Sequence, residues 1–242
     1  PGKPKILFIG NAASSHTHSW IDLLVDAKFN VRLFGLKGIP PVDWQVKTYI
    51  ADIFQAKQPI NRRKVLFPYS EYLSSDLQRA YLKTKTRFYP REKWLAKVIN
   101  TWKPDIIHTH GKGPGLYGRL IGSFLNIPVI HTFHGFHYQE IPFPTRWFHL
   151  AVETLLSLFT DHHIFVSTGE KNRARVLKFL DEENSTVIHN GVDHEHIGSL
   201  SITRNKALKL SESENWEKNK ILGTIARLSP EKGILCLLAA FS

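Results

Sequence analysis

The 242 residues hold 32 Lys and Arg against 21 Asp and Glu, a formal net charge of +11, with 42% hydrophobic residues. That apolar fraction suffices for a packed core and excludes wholesale disorder. The single cysteine, Cys236, excludes an internal disulfide, and no apolar run reaches the length of about 18 residues that spans a membrane.

The opening stretch PGKPKILFIG has neither the long apolar segment nor the cleavage site of a signal peptide, so the chain reads as soluble and cytoplasmic. Residues 5–9, KILFI, form a short apolar run that predicts a strand ending at Gly10. Trp20, Leu23, Leu24 and Ala27 then recur at helical spacing. Strands are predicted at 30–35 and 46–50, and basic helices at 71–85 and 91–102. DIIHTH (105–110) predicts the next strand, GKGPG a glycine turn, and LYGRLIGSFLN a helix. Strands at 127–135, 161–166 and 185–191 follow, with helices at 143–159 and 168–180 between them.

This alternation is the signature of βαβ units, a Rossmann-like parallel α/β sheet with helices on both faces. Residues 199–219 are polar and poor in large apolar side chains. The division is therefore an amino-terminal domain at 1–200, a linker at 201–219, and the start of a second domain at 220–242, where a new strand is predicted.

In such sheets ligands bind beyond the carboxyl ends of the strands. Four loops there carry glycine together with polar side chains: Gly10-Asn11 through His18, His108 through Gly115, His131 through His137, and His189-Asn190-Gly191. Glycine admits a ligand close to the backbone, and a helix N-terminus offers unpaired N–H groups to an anion. His110 and His134, each followed by Gly, are the histidines assigned to ligand contact. Strand-end histidines more commonly bond loop backbone.

His131, His134 and His137 fall at i, i+3 and i+6 of an extended segment and cannot share one face, so no metal site is assigned. The basic stretch 79–103 reads first as a solvated face. Tyr81, Phe88, Tyr89, Trp94 and Trp102 interleave its cations, a composition that also suits an anionic membrane surface. No recognition motif accompanies the charge, so nucleic acid is not an expected partner.

PDIIHTHGKGPGLYGRLIGSFLNIPVIHTFHGFHYQE, IFVSTGEKNRARV, VIHNGVD and GTIARLSPEKGILCLLAAF, in that order, resemble the retaining GT-B glycosyltransferases of family four. The likeness is strongest to those of capsule, exopolysaccharide and O-antigen (lipopolysaccharide) assembly, and it spans residues 5–242. It implies two Rossmann-like domains around a cleft. The amino-terminal one takes a glycan or lipid-linked acceptor, and the carboxyl-terminal one takes a nucleotide-diphosphate sugar as co-substrate, with no further cofactor.

By the same resemblance Arg227 and Lys232 grip the donor diphosphate as the catalytic cations. Gly10 and Asn11 approach the sugar and phosphate from the first-strand loop, where two glycines are common, and His134 faces the transferred sugar. His18, His110, Gly111 and Asn190 complete the substrate-binding set on the cleft edge. The family's glutamate pair beyond the EKG-like segment has no counterpart before Ser242. The chain is therefore expected to be an inactive fragment: an acceptor-side domain with the first strand and helix of a donor domain. Its exposed apolar tail is expected to pair with a second copy. The expected location is the cytoplasm, at the inner face of the membrane.

Two other classes compete. A nucleotide-sugar epimerase of similar shape would need carboxylates, in which this cleft edge is poor. A non-catalytic, membrane-docked binding module would transfer no sugar. A dehydrogenase is disfavoured because no G-x-G-x-x-G follows the first strand.

Overall fold

The computed structural model describes residues 2–41, 43–51, 65–66, 91–135, 142–177, 183–191, 223–226 and 232–240. The chain divides into two compact units, 1–190 and 191–242. The boundary expected from composition lies ten residues further on.

The first unit is built on one parallel sheet. Its elements in chain order are β1 (Lys5–Asn11), α1 (Ser15–Asp26), β2 (Asn30–Lys37), β3 (Thr48–Ile50), β4 (Val65–Leu66) and α2 (Arg91–Trp102). These are followed by β5 (Ile106–His110), α3 (Lys112–Phe124), β6 (Val129–Phe133), α4 (Thr145–Ser157), β7 (His162–Phe165), α5 (Thr168–Val176) and β8 (Ser185–Val187). The spatial order is β4-β3-β2-β1-β5-β6-β7-β8, and every neighbouring pair is parallel. The strands and helices predicted for this unit are all there within a few residues, except the helix at 71–85, which lies outside the described residues. The two-residue β4 carries too short an apolar run to be predicted from the sequence.

Strand alternation sorts side chains onto two faces. Leu7, Ile9, Phe34, Ile107 and Val129 form one core with Trp94, Leu95, Val98, Ile99 and Trp102 of α2. Ile6, Phe8, Val31 and Leu33 form the other with Ile21 of α1. Helices thus cover both faces, as the sequence predicts. Trp94 and Trp102 are buried, which removes them from the aromatic rim expected at a membrane face. The rest of that stretch, 79–90, lies outside the described residues.

The predicted glycine turn at 111–115 is shorter than expected. Helix α3 begins at Lys112, with Gly111 as its cap at φ +76°. Pro114 is accommodated because the first helical turn needs no backbone donor. Gly115, Gly118 and Gly122 instead form a stripe along α3. A Cβ on Gly115 would lie 2.5 Å from His131 Cε1, and one on Gly118 would lie 2.2 Å from Thr109 Cγ2. The lack of side chains there lets the helix lie closely on β5 and β6.

In the second unit the described residues are sparse. Gly223–Ala226 are in no strand, although the sequence predicts one there. Helix α6 (Ile234–Ala239) follows Gly233, which has φ +64°. Its Leu235 and Leu238 are exposed.

Candidate active site

The sheet order reverses between β1 and β5: β2 to β4 lie to one side of β1, while β6 to β8 continue beyond β5. The crevice at the carboxyl ends of β1 and β5 is the topological switch point, where doubly wound sheets take ligands. Gly10 and Asn11 end β1, His110 and Gly111 stand at the end of β5, and His134 follows β6. The strand order therefore brings together five of the sequence-assigned residues.

The β1 loop closes on itself. Asn11 Oδ1 accepts from the Ala13 N–H at 3.0 Å, and the Ser14 N–H donates to the Asn11 carbonyl at 3.1 Å. Asn11 thus holds its own turn, as Asn commonly does, and the Ala13 N–H is already engaged. Gly10 packs closely on α1: a Cβ there would lie 3.2 Å from Thr17 Oγ1, a tight contact. His18 braces the same loop. Its Nε2–H donates to the Ala12 carbonyl at 2.7 Å, and its ring packs on Trp44 at 4.6 Å.

Behind the crevice lies a chain of imidazoles that the sequence shows only in part. Thr132 Oγ1 lies 2.8 Å from His108 Nε2, and His108 Nε2 lies 3.2 Å from His110 Nε2. His110 Nδ1 is hydrogen-bonded to His134 Nε2. His16, exposed in the first turn of α1, stacks on His134 with ring centroids 5.6 Å apart. Phe8 and Trp20 wall the chain: Phe8 lies 4.2 Å from the His110 ring, and Trp20 meets it edge-on at 5.3 Å.

Burial holds His108, His110 and His134 neutral. It lowers His108 to about 3, helped by repulsion from His134. It lowers His134 to about 4, with His16 adding repulsion, and it puts His110 well below the ordinary histidine value. His108, His110 and half-buried His134 thus offer uncharged donors and acceptors beside the aromatic rings of Phe8 and Trp20. They can orient hydroxyl or phosphate oxygens without contributing charge. His16, His108, Trp20 and Thr132 are not singled out by the sequence. The signal for His108 is its two-residue spacing from His110, which puts both on one face of β5.

Three assigned residues remain: Asn190, Lys232 and Arg227. Asn190 is three residues past β8 and exposed. β8 is three strand positions from β5, or roughly 14 Å at the usual inter-strand spacing. β8 is two positions from β6, the strand that His134 follows. Lys232 is exposed in the second unit, and Arg227 lies outside the described residues. Among the described residues no group of three His, Cys, Asp or Glu is arranged to hold a metal ion, and no helix is long and apolar enough to cross a membrane.

Comparison with known proteins gives this geometry a family. The model of Glycosyltransferase Family 4 matches residues 15–196, and the chain belongs to that family. It is 25% identical over 181 residues to the UDP-Gal:alpha-D-GlcNAc-diphosphoundecaprenol alpha-1,3-galactosyltransferase of Escherichia coli, covering 69% of this chain and 45% of that protein. It is 29% identical over 119 residues to the putative glycosyltransferase EpsD of Bacillus subtilis, covering 48% of this chain and 31% of that one. Among solved structures, Anabaena HepE in complex with UDP and glucose superposes with a TM-score of 0.65 at 18% identity, over 98% of this chain and 57% of HepE. The chain spans less than half the length of the curated relatives it matches. The structural likeness supports a GT-B-type Rossmann-like half.

Proposed function

We propose that this chain forms the acceptor side of a retaining, sugar-nucleotide-dependent glycosyltransferase that extends a lipid-linked glycan in surface-polysaccharide assembly. The observation that carries the reading is the convergence of Gly10, His110, Gly111 and His134 on the β1/β5 switch point of a family 4 fold. A uridine diphosphate sugar is the donor class in this proposal. UDP is named both in the HepE complexes and in the donor of the E. coli relative, and a diphosphoundecaprenol acceptor is named in the latter.

In the proposed reaction an acceptor hydroxyl attacks the anomeric carbon on the face from which the diphosphate departs. The carbon–oxygen bond to phosphate breaks, and the leaving phosphate oxygen takes the hydroxyl proton. Negative charge grows on the diphosphate, so fixed cations lower the barrier. Arg227 and Lys232 are assigned that role. His134 orients the sugar, and no protein base is required.

The whole protein, incubated with UDP-glucose or UDP-galactose and a polyprenyl-diphosphate-linked GlcNAc acceptor, is expected to lengthen the acceptor by one hexose. The new linkage should keep the donor's anomeric configuration, the reaction should survive EDTA, and Arg227→Ala should lower turnover about 10²-fold. A folded protein that transfers nothing across a sugar-nucleotide panel would overturn the reading. Conversion of the nucleotide sugar to its epimer would favour the epimerase alternative.

Peripheral contact with an anionic membrane belongs to the same proposal. Trp147, Phe148 and Leu155 of α4 are exposed, and the net charge is strongly positive. Binding to anionic vesicles is expected to weaken between about 50 and 300 mM salt, because charges screen over about 10 Å at 0.1 M. It should weaken further in Trp147→Ser; failure to bind at low salt would remove this contact.

A further inference from the structure

The imidazole chain behind His134 has a direction. With all three rings neutral, each carries one N–H and one lone pair. His108 Nε2 has two polar neighbours, Thr132 Oγ1 at 2.8 Å and His110 Nε2 at 3.2 Å. A single N–H can be shared between two acceptors in a three-centre bond. A single ring lone pair cannot serve two donors equally well. The better arrangement therefore puts the proton on His108 Nε2.

The rest follows by alternation. His110 Nε2 accepts, so His110 carries its proton on Nδ1 and donates it to His134 Nε2. His134 must then hold its own proton on Nδ1.

We propose that Thr132, His108 and His110 are positioning residues that lock His134 as its Nδ1–H tautomer, so that its half-exposed ring presents a hydrogen-bond donor at the carboxyl end of the sheet. The group it would meet is an acceptor oxygen, from a sugar hydroxyl or a phosphate. That ligand rests on the glycosyltransferase reading above, whereas the tautomer does not. The strongly lowered basicity of His108, His110 and His134 is consistent with a chain of neutral rings near pH 7. It is general chemistry that an unconstrained neutral histidine favours Nε2–H, and that the partner of one ring nitrogen fixes the state of the other.

The test is long-range proton–nitrogen correlation spectroscopy on this chain with ¹⁵N-labelled histidine at pH 7, with His134 assigned from the signal missing in His134→Gln. The expected pattern is Nδ1–H for His134 and His110 and Nε2–H for His108. His134 found as Nε2–H, or averaging between two forms, would overturn the proposal in the unmutated protein. His110→Phe should return His134 to Nε2–H. His110→Asn, whose amide can occupy the place of Nδ1, should keep Nδ1–H. An unchanged His134 in His110→Phe would also overturn it. None of these readouts requires turnover, so a failed transfer assay leaves this result standing by itself.

Discussion

The two faces of the β5–β6 pair carry the same residue types to different ends. On the α1 face, His108, His110 and Thr132 bond to one another and lead out to His134 and the exposed His16. On the α3 face, one residue out of step, His131 Nδ1 pairs with Thr109 Oγ1 at 2.7 Å and packs against Gly115. There the neighbouring charge is permanent. Arg119, fully buried, donates from Nη2 to both Glu153 oxygens at 3.2 and 2.9 Å, and from Nε to the Gly115 carbonyl at 3.1 Å. Burial, with the Arg119 charge adding to it, holds His131 well below its ordinary basicity and His163 at about 4. One face presents uncharged groups to a crevice. The other locks helices α3 and α4 to the sheet around a sealed ion pair. A histidine-rich motif on a strand therefore divides its work by parity.

The largest expected effect breaks the sealed face. Glu153→Ala leaves Arg119 buried without its carboxylate and should cost about 3–5 kcal/mol of folding stability. Denaturant unfolding measures this, and a loss below about 1 kcal/mol would show that the pair does not anchor α4.

The next expected effect is shared by both faces. A histidine whose basicity is lowered on folding binds protons more readily in the unfolded chain. Stability is therefore fully present above the ordinary histidine value of 6.5 and lost as pH falls toward 4 and then 3. Each such histidine contributes a slope of up to about 1.4 kcal/mol per pH unit in that window. Melting temperature should fall steadily from pH 7 to pH 5. In His163→Phe, which removes one titrating ring from the sealed face, the fall should be shallower. A flat profile would contradict burial of these rings as neutral species.

The sequence reveals the strands and the edge on which the site lies, because apolar runs, glycine turns and helical spacing are local signals. It does not reveal which strands are neighbours. His134 meets His110 because β6 lies beside β5. Trp94 and Trp102 look like a membrane rim by composition. Their spacing with Leu95, Val98 and Ile99 is that of one helix face, and that face is core. Gly115 reads as part of a ligand-binding loop; its role is the close approach of α3 to His131. Arg119 is a cation inside the helix predicted at 116–126, and nothing in the linear sequence links it to Glu153, which lies 34 residues away.

We propose that the open face, ending in His134, is where sugar transfer is guided. The most direct measurement is kcat/KM for hexose transfer by the whole protein carrying His134→Ala, with the melting temperature taken alongside. A fall of about 10²-fold or more is expected, the scale of losing one oriented polar group at a reacting centre, with folding little changed. Turnover equal to that of the unsubstituted protein would contradict it.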